Sequence, residues 1–155
     1  GSGTTAVGQL EYADITLPST LTGSADFSGL LREGVNITAG KLSDNTDIDL
    51  ENGMVHLFTT TETTTSTPNI RFSSSTTLDS SMNVGEAISV TIITTAAAAA
   101  YSAQLTIDGA AVTENWVGGS APSDGGTSGG DIYAYTIIKT ASATFTVIGN
   151  QSKTS

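Results

Sequence analysis

Asp49 and His56 flank an Asn52-Gly53 pair. A two-residue turn there sets the carboxylate opposite the imidazole, close enough to favour the charged ring and raise its pKa above the unfolded value. His56 is the only histidine, so it is also the only candidate base for a serine nucleophile, and no G-x-S-x-G elbow accompanies it. A catalytic triad finds no support. Fifteen acidic residues include pairs enough for glycoside hydrolysis, but without the signature of an aromatic-lined cleft their abundance reads as solubility. Asp44-Asn45-Thr46-Asp47-Ile48-Asp49-Leu50-Glu51 has the oxygen density of a calcium loop. Its glycine and twelfth-position Glu are misplaced for an EF-hand, and alternating carboxylates on a strand share a face without encircling an ion. With no cysteine and one histidine, neither a thiolate nor a multi-histidine metal centre can be assembled. The run from Val117 to Gly130 lacks the Gly-Lys-Ser/Thr ending that cradles phosphate. No metal and no cofactor are expected.

Trp116, the only tryptophan, immediately precedes that Gly-rich run. Aromatic faces hold sugars and partner chains on many β modules, so Trp116 is either a core residue at a strand end or a binding platform. Tyr133 and Tyr135 share one face of the next strand and stand either beside it or on the sheet's outer surface. Together with Asp124 in the loop, these three aromatics are the candidate binding surface.

The elements that position these residues are strands. Helix signals are scarce: Ala96 to Ala100 offers no polar face, and a short helix through Phe27, Leu30 and Leu31 within residues 22–34 is the one other candidate. β-branched residues alternating with period two recur between Gly, Asn, Asp and Ser punctuation. The turn at Asn52-Gly53 predicts a hairpin pairing Glu51 with Met54, Leu50 with Val55, Asp49 with His56 and Ile48 with Leu57. Asp108-Gly109 predicts a second hairpin, of undetermined register around Glu114, and Ile132 to Lys139 returns through Phe145 and Val147 after a turn at residues 140–143. Asp14 to Leu17, Val35 to Thr38, Ile70 to Phe72 and Glu86 to Thr95 read as further strands. Thr59 to Thr67 is either an edge strand or a solvated loop. The predicted core holds Ile48, Leu50, Val55, Leu57, Ile88, Val90, Ile92, Leu105, Ile107, Phe145 and Val147. The expected fold is all-β, an antiparallel β-sandwich or jelly-roll-like domain with long Thr-rich and Gly-rich loops.

Length and charge narrow the function classes. The 155 residues suit one domain. Gly1-Ser2-Gly3 reads as a linker or cleavage scar, residues 4–155 as a single β domain, and residues 4–34 as an extension or linker to a preceding module. A net charge of -10 repels phosphate backbones and anionic lipid, so neither nucleic acid nor membrane insertion is expected. About 30% of the residues are Ser or Thr, hydroxyls where charges are usual.

The string Thr106-Ile107-Asp108-Gly109-Ala110-Ala111-Val112-Thr113-Glu114-Asn115-Trp116-Val117-Gly118-Gly119-Ser120-Ala121-Pro122, followed by Asp131-Ile132-Tyr133-Ala134-Tyr135 and Thr144-Phe145-Thr146-Val147-Ile148-Gly149, resembles a module common in virion structural proteins of marine tailed phages, cyanophages especially. Lys41 to Asn45 and Asp49 to His56 resemble its partner half. The likeness spans roughly residues 35–150 and brings no catalytic residues with it. It implies a non-enzymatic virion surface component, on a tail fibre, baseplate or capsid, serving assembly or host-surface attachment. It further implies self-association, a trimer being the preferred state, contacts with other virion proteins, a host-surface glycan as a further partner, and a location on the extracellular particle. A carbohydrate-binding or polysaccharide-degrading module and a bacterial adhesin or surface-layer domain are the alternatives.

Overall fold

The computed structural model describes residues 26, 28–95 and 97–154. The chain divides into two units, Gly1–Leu31 and Arg32–Ser155, and every described strand belongs to the second. The readings of Gly1 to Gly3 and of a strand at Asp14 to Leu17 lie outside the described residues. Residues 28–34, the described tail of the expected helix, are not helical.

Among the described residues, ten strands and one short helix succeed one another: β1 (Val35–Thr38), β2 (Asp47–Asp49), β3 (Val55–Phe58), β4 (Asn69–Arg71), α1 (Leu78–Ser81), β5 (Ala87–Thr94), β6 (Thr106–Ile107), β7 (Ala110–Ala111), β8 (Glu114–Trp116), β9 (Asp131–Ala141) and β10 (Thr144–Lys153). They form two mixed sheets, ordered β1-β3-β5-β9-β10-β8 and β2-β4-β6-β7. The protein is thus mostly β, as its sequence indicates. From β1 to β6 successive strands alternate between the sheets, so the chain makes three passes and each strand lies parallel to the one two places on. The ladders β1–β3, β3–β5, β2–β4 and β4–β6 are parallel, as is β8–β10. Antiparallel pairing, expected to predominate, is confined to β5–β9, β9–β10 and β6–β7.

The three passes stack like on like. Ile48, Ile70 and Ile107 are aligned across β2, β4 and β6, and each is at most 2% exposed. The first register position of the same three strands is a polar ladder: Asn69 Nδ2 donates to Asp47 Oδ1 at 2.8 Å, and Thr106 Oγ1 donates to Asn69 Oδ1 at 2.8 Å. Isoleucine supplies the β-branched bulk that fills a sheet's inner face, and the amide ladder satisfies the opposite face. Both sheets feed one buried cluster, with Val90, Ile92, Tyr133, Tyr135, Ile137 and Val147 coming from the larger sheet. Of the predicted core, Ile88 and Phe145 are only partly buried against that cluster.

The expected hairpin at residues 48–58 is absent. Leu50–Asn52 forms a single 3₁₀ turn, after which β3 joins the other sheet between β1 and β5. A type I′ turn needs positive φ at both central residues, and only Gly53, at φ 120°, has it. The cause is burial. Ile48 and Leu50 belong to the inner side of the smaller sheet, whereas His56 and Phe58, at 2% and 3% exposure, belong to that of the larger one. Val55 and Leu57, expected in the core, therefore fall on the opposite face of β3 and are half-buried.

Asp108-Gly109 does make its two-residue turn, at φ 52° and 79°, and pairs Ile107 with Ala110. The chain then leaves for the other sheet, and the Glu114 carboxylate accepts the Leu105 N–H at 2.5 Å. Residues 59–67 are largely irregular, organised by Glu62. Its buried carboxylate accepts from Ser43 N, Ser43 Oγ, Thr63 N and Thr64 N. These donors outweigh desolvation, which pushes the other way, and hold Glu62 below its ordinary pKa.

Candidate functional site

The geometry of the Trp116 region begins with a missing side chain. β8 runs parallel to β10 with Trp116 opposite Gly149, and the indole lies so close over that glycine that a methyl there would stand 3.0 Å from the ring. On its edge the indole meets Tyr135, with centroids 6.0 Å apart at 65°, the T-shaped arrangement aromatic quadrupoles favour. Directly after Trp116 the chain turns on Gly118 and Gly119, both left-handed at φ 84° and 81°, with Gly119 N donating to Trp116 O at 2.9 Å.

The loop so started is tied back to β9 and β10. Gln151 Nε2 donates to Asp124 O at 3.0 Å, and Lys153 Nζ pairs with Asp124 Oδ1 at 2.6 Å. Gly126 N is shared by both oxygens of the fully buried Asp131 carboxylate, each at 2.9 Å. A side chain at Gly126 would force the Asp131 carboxylate to move, because a Cβ there would stand 2.5 Å from Asp131 Oδ1. Gly125 N completes the anchoring by donating to Ala98 O. Between loop and strand lies a cleft of about 230 Å³ lined by Trp116, Val117, residues 120–124, Asn150 and Gln151.

The structure brings two of the four sequence candidates to this cleft, Trp116 and Asp124. Trp116 is partly buried against the core, as one of the two expected readings had it, and also lines the cleft. Tyr133 and Tyr135 are not surface residues: they are 1% and 2% exposed on the inner face. They support the site from beneath. Tyr133 Oη accepts from Ser102 N and from Gln151 Nε2, and burial raises the pKa of both phenols. The Tyr135 hydroxyl has no partner among the described residues. Asn150 was visible in the sequence only as the start of an N-x-Ser sequon, and Gln151 carried no signal, because what brings both to the cleft is the pairing of the last strand with β8.

The second candidate constellation dissolves. Asp49 binds Arg71, Oδ1 to Nε at 2.5 Å, across the parallel β2–β4 ladder. His56 is buried, with Nε2 2.9 Å from Gly53 O and Nδ1 3.2 Å from Asn36 Nδ2. The neutral ring carrying its proton on Nε2 satisfies both neighbours, donating to the carbonyl and accepting from the amide. Its pKa is lowered, not raised as expected. Desolvation is the largest cause, and the Gly53 carbonyl and the Asp49 charge oppose it without prevailing.

Among the described residues no group of three or more His, Asp or Glu is placed to hold a metal ion, and no helix is long and apolar enough to cross a membrane. No family model, no curated protein and no solved structure matches this chain.

Proposed function

We propose that the chain is a non-enzymatic surface component of a tailed-phage virion, on a tail fibre, baseplate or capsid. Its two sheets form a β-sandwich that displays the 117–130 loop for assembly and host attachment. The observation that carries this reading is the place of the residues behind the resemblance. Trp116, Ala121 and Pro122 line one cleft, Gly118 and Gly119 turn the loop beside it, and Asp131 and Tyr133, a short way along the chain, anchor that loop. The polysaccharide-degrading alternative is disfavoured, since glycoside hydrolysis takes two carboxyl groups. Asp124 is the only carboxylate among the described residues lining the cleft, and it is paired with Lys153.

Self-association as a trimer belongs to the same proposal. Val35 and Ile37, 47% and 65% exposed on β1, give a symmetric copy apolar surface to cover. Immunogold labelling with an antibody raised against the chain tests the virion reading. Gold on the outside of intact tailed particles is expected, and gold confined to the infected host would contradict it. Sedimentation equilibrium of the whole chain tests the trimer, which a monomer at high concentration would exclude.

A further inference from the structure

We propose that His56 is an acid-released latch on the edge strand β1: when the ring takes up a second proton, β1 lifts from the sheet and bares the edge of β3. Little else holds β1. It is four residues long and ends the larger sheet, with β3 its only neighbour among the described residues. Val35 and Ile37 project outward, 47% and 65% exposed. Among the described residues Asn36 is the only β1 side chain in a hydrogen bond, 3.2 Å from His56 Nδ1. The register sets Asn36 and Ile92 on either side of His56, so β1 covers one flank of the buried histidine and the eight-residue β5 the other. β5 is paired along its whole length with β9. The flank free to open is that of β1.

Protonation works against the contacts that close this flank. The neutral ring donates from Nε2 to Gly53 O and accepts at Nδ1 from the Asn36 amide, whereas the charged ring carries a donor on both nitrogens, so that Nδ1–H faces an N–H. A buried imidazolium also needs water or a carboxylate. β1 and β5 carry no ionisable side chain, Glu51 in the corner before β3 is exposed, and Asp49 on β2, the charge that acts on the ring, is already bound to Arg71 at 2.5 Å. Water reaches the ring when β1 leaves. The open form therefore binds the proton more tightly than the closed one, and acid shifts the population toward it. What is then bared is an unpaired parallel edge able to accept an extended strand.

Hydrogen exchange followed by NMR on the whole chain tests the latch, each rate being divided by that of an unstructured peptide at the same pH. The bonded β1 amides, and Thr59 N–H, which donates to Thr38 O, should be less protected than the β5–β9 ladder at pH 7.5, the mark of an opening smaller than global unfolding. Between pH 7.5 and pH 5 their protection should fall about tenfold, as when the opened form binds the proton about ten times more tightly than the closed one. Asn36→Asp sets a carboxylate against the charged ring and should abolish the fall, and so should His56→Gln, which cannot be charged. Protection of β1 that is independent of pH in the parent overturns the proposal, as when the Asn36 amide turns over to present its oxygen to the new N–H. Protection equal to that of the β5–β9 ladder overturns it too, since β1 would then open only with the whole fold. A fall that persists in both variants does the same.

Discussion

At Asp108-Gly109 the chain reverses within two residues, whereas at Asn52-Gly53 it turns once through a 3₁₀ segment and crosses from one sheet to the other. Both dipeptides carry the same hairpin preference, so what separates them is the surroundings. Asp108 has a second occupation: its two carboxylate oxygens accept the N–H groups of Leu78 and Asp79 at 2.7 and 3.0 Å, capping α1 from 30 residues away. That contact pins a non-glycine residue at positive φ. Asn52 has no such tie among the described residues, and the strands beside it bury residues on different sheets, Ile48 with Leu50 and His56 with Phe58. Several buried side chains outweigh a turn preference of about 1 kcal/mol, and the hairpin gives way.

The contrast can be broken most visibly at Asp108. Asp108→Ala removes a cap and leaves alanine in the left-handed region, for an expected loss of about 2–3 kcal/mol in denaturant unfolding. Next in size is Gly53→Ala. Its φ of 120° and ψ of 167° lie where essentially only glycine goes, and a Cβ would stand 3.0 Å from Gly34 O, so the cost should be about 2 kcal/mol. Gly109→Ala, at φ 79° with nothing within 4 Å of a Cβ, should cost only about 1 kcal/mol. Equal losses at the two glycines would erase the distinction between corner and hairpin.

A smaller effect is expected at His56. Burial depresses its folded-state pKa below 6.5, so the unfolded chain takes up the proton first. The His56 contribution to stability is complete above about pH 6.5 and is lost as pH falls from there through the folded value. Melting temperatures between pH 8 and pH 5 should decline in the parent and flatten in His56→Gln. Stability that instead rises on acidification over this range would restore the surface Asp49–His56 pair. The smallest effect is expected at Asn52, which is exposed and not in a positive-φ conformation. Asn52→Ala should change stability by less than about 0.5 kcal/mol, where a type I′ turn would be clearly weakened.

Sequence alone made legible whatever depends on neighbours in the chain. The alternation of Ile88, Val90 and Ile92 marks β5, the return from Ile137 to Phe145 marks the β9–β10 hairpin, and Asp108-Gly109 marks its own turn. Parallel pairing was invisible, because β3 meets partners some 20 and 36 residues away, Val55 lying between Val35 and Thr91, and no local signal ties such strands together. The phase of β3 was lost with it, since Val55-His56-Leu57-Phe58 alternates two hydrophobics against a histidine and a phenylalanine, and only the choice of sheet decides which pair goes inside. At the candidate site, Trp116 was legible as the residue that leads into the Gly-rich loop carrying Asp124. The tyrosines were misplaced because a phenol can face water or core, and Tyr133 goes inside where Ser102 N and Gln151 meet its hydroxyl.

The central claim is that the chain threads alternately through two sheets from β1 to β6, with His56 inside. Nuclear Overhauser contacts from the His56 backbone test it most directly. The parallel registers predict contacts to the strand residues around Asn36 and Ile92, together with a ring shielded from solvent. Cross-strand contacts between the backbones of His56 and Asp49, with a solvent-exposed ring, would contradict it.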